Sequence, residues 1–395
     1  MLLWVLGAVI VFWFGLALFN LWSLRGATIL RPDSPVADLA ETPKVSIILA
    51  ARNEEEALPS TLDSLLRLDY PDYEVILIDD DSHDHTGAIA EEWAEKPEAA
   101  GRLKVIHNSE LPAGWSGKVH ALSLAARAAT GEWLLATDAD LVFHNRILRV
   151  AMACAREKRV SLLSLTPEFE YSSFWEKVVL PAFAWVIASV FPVRLVNDPR
   201  SSRALAAGAF ILMRRADFAA LGGYERLRNT VIEDLRTAQL FKSGGRRIHF
   251  AATKGLFRTR MYKNLRELWE GLTRTSFEGV GFSVPTVLAG VTVGAVAAVL
   301  PSVTSGVRLF RDWEVRISPL QDHVLLMALA ACAVSFLVYL PVLAYFHLPA
   351  RYVFSLPLAA AFYCLVALDS MLVSVAGRGV PWKGRRYLPP GSETG

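Results

Sequence analysis

The sequence predicts an α/β protein, with a mainly parallel, doubly wound sheet in the middle of the chain and membrane-spanning helices at both ends. Three observations predict it. Between Pro43 and Arg260, short runs of Val, Ile and Leu alternate with helical stretches. Outside that interval the chain is apolar and nearly uncharged over lengths that suit a bilayer. Two of the apolar runs end in aspartate clusters, at the edge where open parallel sheets bind ligands.

Composition agrees with this division. Apolar residues make up 53% of the 395 positions and charged residues 20%, too apolar for an ordinary soluble domain. A net charge of +2, with no basic stripe carrying interleaved aromatics, does not point to nucleic acid. Cys154, Cys332 and Cys364 are far apart and lack Cys-x-x-Cys spacing. Neither a disulfide framework nor a thiolate metal site is expected, and a reducing cytosol suits the chain.

At the N-terminus, residues 1–24 carry no charge, and Arg25 and Arg31 follow. The stretch lacks the basic start of a cleaved signal peptide and is long enough to span, so it reads as an anchor. The two arginines hold the next segment in the cytosol. Towards the other end, residues 279–377 form a membrane region of two or three helices, from uncharged runs at 279–307, 323–350 and 352–377. Asp369 alone interrupts the last run. It reads as a carboxylate facing a neighbouring helix or the interface, with an intramembrane functional group as the alternative. Topology stays open at this point. Four full spans leave the basic tail, residues 378–395 with Lys383, Arg385 and Arg386, outside. A re-entrant 279–307 segment, which holds Pro285 and Pro301, puts that tail and Arg308, Arg311 and Arg316 inside.

In the middle, residues 45–51, 74–79, 103–106, 133–137, 160–165 and 209–213 read as strands. Their density of Val, Ile and Leu is that of strands buried on both faces. Residues 55–68, 86–95 and 119–128 read as helices between them, which implies the parallel sheet. The run at 74–78 leads into Asp79-Asp80-Asp81-Ser82, and 133–137 leads into Asp138-Ala139-Asp140. Two acidic clusters on one rim repel unless a cation or a donor-rich ligand lies between them. An Asp-x-Asp turn lets two carboxylates approach Mg²⁺ or Mn²⁺ while leaving coordination positions for diphosphate oxygens. Neither Gly-x-Gly-x-x-Gly nor a P-loop occurs, which disfavours dehydrogenases and P-loop enzymes.

Five elements in order resemble a family 2 glycosyltransferase of GT-A (Rossmann-like) fold across residues 43–275. They are Val45-Ser46-Ile47-Ile48 leading to Ala51-Arg52-Asn53-Glu54, the Asp79–Ser82 run, Asp138-Ala139-Asp140, Val231-Ile232-Glu233-Asp234, and Arg260-Met261-Tyr262. A narrower resemblance is carried by Gly114-Trp115-Ser116-Gly117-Lys118, Ser173-Phe174-Trp175-Glu176 and Val196-Asn197-Asp198-Pro199-Arg200. These are similar to membrane-bound hopanoid-associated and carotenoid glycosyltransferases, which implies a polyisoprenoid-type lipid acceptor. The Gln-x-x-Arg-Trp signature of processive synthases is absent, which argues for transfer of a single sugar.

The resemblance implies roles for individual residues. Ala51, Asn53, Glu54 and Asp80 belong to the donor's nucleoside side, with Asp80 accepting from the base and Asp79 supporting the turn. Lys118 meets the diphosphate, Asp138 and Asp140 take the metal, and Arg260 adds charge stabilisation. Asp234 is the expected general base of an inverting transfer from a UDP- or GDP-sugar, with Glu233 the next candidate. The expected setting is the cell inner membrane, multi-pass, with the catalytic domain cytosolic. Within residues 174–196 the uncharged core is about 16 residues, short of the roughly 20 needed to span. A crossing there would separate Asp140 from Asp234, so the segment is expected to lie in the interface, with a buried core helix as the alternative. A processive polysaccharide synthase and a non-catalytic nucleotide-sugar-binding membrane protein are the competing functional readings.

Overall fold

The computed structural model describes residues 1–36, 42–99, 101–315, 322–378, 380–382 and 385–387. Arg316, Lys383 and most of the tail at 378–395 lie outside the described residues. The chain divides into two compact units. One comprises residues 26–170 and 193–261, and the other residues 1–25, 171–192 and 262–395.

In chain order the strands of the first unit are β1 (Ile29–Leu30), β2 (Val45–Ala51), β3 (Tyr73–Asp80), β4 (Leu103–Asn108), β5 (Trp133–Thr137), β6 (Leu141–Phe143), β7 (Leu162–Thr166), β8 (Glu168–Phe169), β9 (Ile211–Arg214), β10 (Ile248–Thr253) and β11 (Phe257–Thr259). Helices longer than six residues are α1 (Leu2–Leu24), α2 (Leu58–Leu66), α3 (Thr86–Ala94), α4 (Gly117–Ala128), α5 (Ile147–Lys158), α6 (Phe174–Val190), α7 (Glu233–Ser243), α8 (Leu265–Gly279), α9 (Val284–Arg311), α10 (His323–Tyr345) and α11 (Ala350–Val375).

Eight strands make one sheet in the order β1-β10-β7-β9-β5-β2-β3-β4. Every pairing is parallel except those of β9, which runs antiparallel to both β5 and β7. The mainly parallel α/β expectation therefore holds, with one strand reversed. Ile47, Leu49, Val75, Leu77 and Leu135 are fully buried in the core that the flanking helices cover. β1 and β10 extend the sheet beyond the strands expected from sequence. The Ile-His-Phe-Ala-Ala-Thr run of β10 carries too weak a pattern to be read alone. A three-stranded sheet, β6-β11-β8, sits beside the main one. β2 lies between β3 and β5 and is parallel to both, so their aspartate-bearing ends share one rim.

In the second unit, α1, α9, α10 and α11 are each long and apolar enough to cross a membrane. Residues 284–311 form one continuous helix. Pro285 sits in its first turn, where a missing N–H breaks no helical bond. A π turn at Ala295–Val299 precedes Pro301, as expected where a proline disturbs the hydrogen-bond ladder. Asp369 accepts from Trp269 Nε1 at 2.7 Å, so this carboxylate is held by the neighbouring helix α8. α6 also belongs to this unit, and its Val178, Val179, Leu180 and Ala182 pack in the same apolar cluster. A Ser173/Glu176 capping box closes its first turn. The unit bearing the sheet ends at Met261, and residues 262–275 belong with the apolar helices.

Candidate active site

The Asp138-Ala139-Asp140 turn is held from two sides. Ala139 is buried in the core, and its carbonyl accepts from Thr61 Oγ1 of α2 at 2.8 Å. Just before the turn, Thr137 Oγ1 donates to the Ala209 carbonyl at 2.7 Å, tying the end of β5 to the segment that enters β9. A pinned backbone with Ala139 turned inward leaves both aspartates partly exposed on the rim. Asp140 Oδ2 lies 3.4 Å from Thr259 Oγ1. Because Thr259 pairs with Leu141 in the antiparallel β6–β11 ladder, the next position, the exposed Arg260, falls beside Asp140.

Lys118 joins two motifs that are distant in sequence. Its Nζ lies 2.6 Å from Asp138 Oδ1 and 2.5 Å from Glu233 Oε1. Burial works against its charge, but Asp138 and Glu233 outweigh burial and hold its pKa well above the usual lysine range. Glu233 and Asp234 open α7, where the helix dipole favours carboxylates. Asp234 Oδ2 accepts from the Gly208 amide at 3.0 Å, and Oδ1 from the Leu235 amide at 2.7 Å. Burial first, and Glu233 beside it second, push the Asp234 carboxyl up to about 7, against the pull of Lys118 and these two amides.

Gly208 marks the centre of the group, and its role could not be read from the sequence. A methyl group built on it would lie 3.5 Å from Asp234 Oδ2, 3.5 Å from Lys118 Nζ and 3.7 Å from Asp138 Oδ2. Three charged side chains from three separate stretches thus surround one small open position. Glu233 joins the group through Lys118, so three carboxylates lie around a single ammonium. Among the described residues no three His, Cys, Asp or Glu side chains form a complete metal cage.

The other expected residues gather at the ends of β2 and β3. Arg52 Nη1 donates to the carbonyls of Asp80 (2.5 Å) and Asp81 (2.8 Å) and to Asp81 Oδ2 at 3.1 Å. Asn53 and Asp81 adopt left-handed backbone conformations, which Asn and Asp tolerate best among side-chain-bearing residues. The Asn53 amide donates to Ser82 Oγ, and Asn53 Oδ1 accepts from the His83 amide at 2.9 Å. The Glu54 amide donates to Thr86 Oγ1 at 2.7 Å. Asp80 is buried, and Asn108 of β4 donates to its Oδ1 at 2.9 Å, a partner for which the sequence offered no signal. Asp79 points away to His107, at 2.9 Å, and His107 also meets Glu91 at 2.8 Å. These two carboxylates raise the His107 pKa. Ala51 is fully buried in the core, so its side chain cannot touch a ligand from this position.

The mainly parallel sheet with its reversed strand and flanking helices is of GT-A type, and residues 46–222 match the model of glycosyl transferase family 2. That match covers slightly under half of the chain. The chain is similar to the 4,4'-diaponeurosporenoate glycosyltransferase of Staphylococcus haemolyticus, 24% identical over 250 residues, 62% of this chain and 64% of that one. The match thus spans slightly under two thirds of that relative's length. The protein of the same name from Staphylococcus aureus strain MRSA252 is 25% identical over 264 residues, 65% of this chain and 68% of its own. Among solved structures, the mannosyltransferase PcManGT from Pyrobaculum calidifontis, in complex with GDP-Man and Mn²⁺, shares the fold. Its TM-score is 0.55 at 21% identity, covering 94% of this chain and 99% of that one.

Proposed function

We propose that this protein transfers a single sugar from a UDP- or GDP-sugar to a polyisoprenoid-type lipid acceptor, with inversion, at the cytosolic face of the cell inner membrane. One observation carries the reading above all: Asp138, Lys118 and Asp234 converge on the open position at Gly208. That arrangement supports a donor site beside a carboxylate whose pKa of about 7 suits a general base.

Asp80, oriented by Asn108, accepts from the base of the nucleotide. Lys118 moves from its carboxylate partners to the diphosphate, and Arg260 adds positive charge beside Asp140. Asp138 and Asp140 would hold Mg²⁺ or Mn²⁺, which would supply charge neutralisation for the departing diphosphate. Asp234 Oδ2 takes the proton of the acceptor hydroxyl as that oxygen attacks the anomeric carbon, and the Gly208 amide keeps the carboxylate aimed. A lipid acceptor is supported by the four apolar helices and by relatives named for a carotenoid acid. The test is to incubate purified protein with a panel of labelled nucleotide sugars and a lipid extract. A single labelled lipid bearing one sugar is expected. A polymeric product, or no transfer from any donor, would overturn the reading.

On this reading α6 lies in the membrane surface. Its 17 residues span about 25 Å at 1.5 Å per residue, short of the roughly 30 Å hydrocarbon core. Asp138 and Asp234 face the same open position, and a lone crossing between them in the chain would put them on opposite sides of the bilayer. Exposed Phe174, Val186 and Val190 give the helix an apolar surface for lipid. In a variant lacking Cys154, Cys332 and Cys364, single cysteines just before and just after α6 should label from the same side. Labelling from opposite sides would refute the interfacial placement.

A further inference from the structure

The first turn of α4 is buried and incompletely bonded. Ser116 is its N-cap and only 6% exposed, and Gly117 and Val119 are buried behind it. An N-cap serine ordinarily accepts from the amides of the first turn. Ser116 makes no such bond, and its Oγ has no hydrogen-bond partner among the described residues. Nor do the amides of Gly117, Lys118 and Val119 find an acceptor among the described residues. Buried helix ends normally satisfy these donors with side chains, water or a ligand. Here three amides and a hydroxyl are left over on one turn, and the Lys118 side chain leaves that turn for the Asp138 and Glu233 carboxylates.

Unpaired amides, the positive end of a helix dipole and an ammonium are the elements of a phosphate site. From the buried hydroxyl and this geometry we infer that the first turn of α4 is the cradle for the donor's diphosphate. Ser116 Oγ and the amides of residues 117–119 donate to its non-bridging oxygens, and Lys118 closes the site on the flank facing Asp138. The inference rests on the sugar-transfer reading and adds the residues that hold the leaving group. It also links the two halves of the chemistry. The Ser116 amide donates to the Arg228 carbonyl at 2.6 Å, so the turn that grips the diphosphate is tied to the loop leading into Glu233 and Asp234.

Binding of UDP and of GDP to the full-length protein in detergent, each with Mn²⁺, tests this by calorimetry, with the melting temperature recorded in parallel. Ser116→Ala removes the hydroxyl and should weaken the diphosphate that binds by about tenfold, the usual scale for one hydrogen bond to a charged group. Ser116→Asp supplies the missing cap and places a negative charge where the phosphate would lie. It should keep or raise the melting temperature while losing detectable nucleoside diphosphate binding. A folded Ser116→Asp protein that binds like the wild type would overturn the cradle and leave sugar transfer standing. If Ser116→Asp does not fold, Ser116→Ala decides, and unchanged affinity counts against the cradle. Failure of the wild type to bind either nucleotide would overturn both readings together.

Discussion

Asp234→Asn is expected to lower the rate of sugar transfer by about 10²–10⁴-fold, the usual contribution of a general base, while donor affinity changes far less. The amide keeps the shape of the carboxylate and cannot take the acceptor's proton. The donor contacts proposed at Asp80, Lys118 and the Asp138–Asp140 turn do not involve that proton. Single-turnover rates and donor binding, measured on the same preparation, separate the outcomes. Near-normal turnover would exclude Asp234 as the base and make Glu233 the candidate, and a large loss of donor affinity would assign Asp234 to the donor site. The pH dependence follows from the same group. Burial and Glu233 raise its carboxyl to about 7, so the base form is lost as pH falls through that value. The wild-type rate at low donor concentration should fall about tenfold per pH unit on the acid side. The residual rate of Asp234→Asn should lack that limb.

Removal of the metal, or of Asp140, is the second large effect expected. Excess EDTA should abolish transfer and added Mg²⁺ or Mn²⁺ should restore it. Asp140→Ala should cost at least about 10²–10³-fold, the scale for losing one electrostatic element of a transition-state site. The fold should tolerate this change. Asp140 is partly exposed, outside the core of the sheet. The turn itself is held by the buried Ala139 and by Thr61. A melting temperature close to that of the wild type would show that lost activity is not lost structure. Full turnover in EDTA, with no metal found in the protein, would remove the metal from the mechanism.

Much of the fold was legible because its signals are local. A strand buried on both faces must be dense in Val, Ile and Leu, and β2 and β5 start and stop where those runs do. Aspartates at two parallel strand ends identified the rim before any strand order was known. Signals faded where a strand is short or mixed, as in β1 and β10, and where direction rather than presence mattered, as in the reversed β9. Within the candidate site, Asp79 and Asp80 are neighbours in sequence and point to different partners, His107 and Asn108, because side chains alternate along a strand.

By itself, then, the sequence determined the α/β class, the apolar ends and the acidic residues available to chemistry, since all three depend on composition and spacing along the chain. Only the tertiary structure decided which of those charges meet. Lys118 reaches both Asp138 and Glu233, the latter far along the chain, because the β5–β9 pairing and the Ser116–Arg228 bond bring separate loops to one rim. Gly208 carries no chemistry of its own and shows its place only through the three charged groups around it. Ser116 stands in the sequence only as one residue of the Gly114–Lys118 motif. Its buried, unpaired hydroxyl is a property of the packing around it, which no local pattern records.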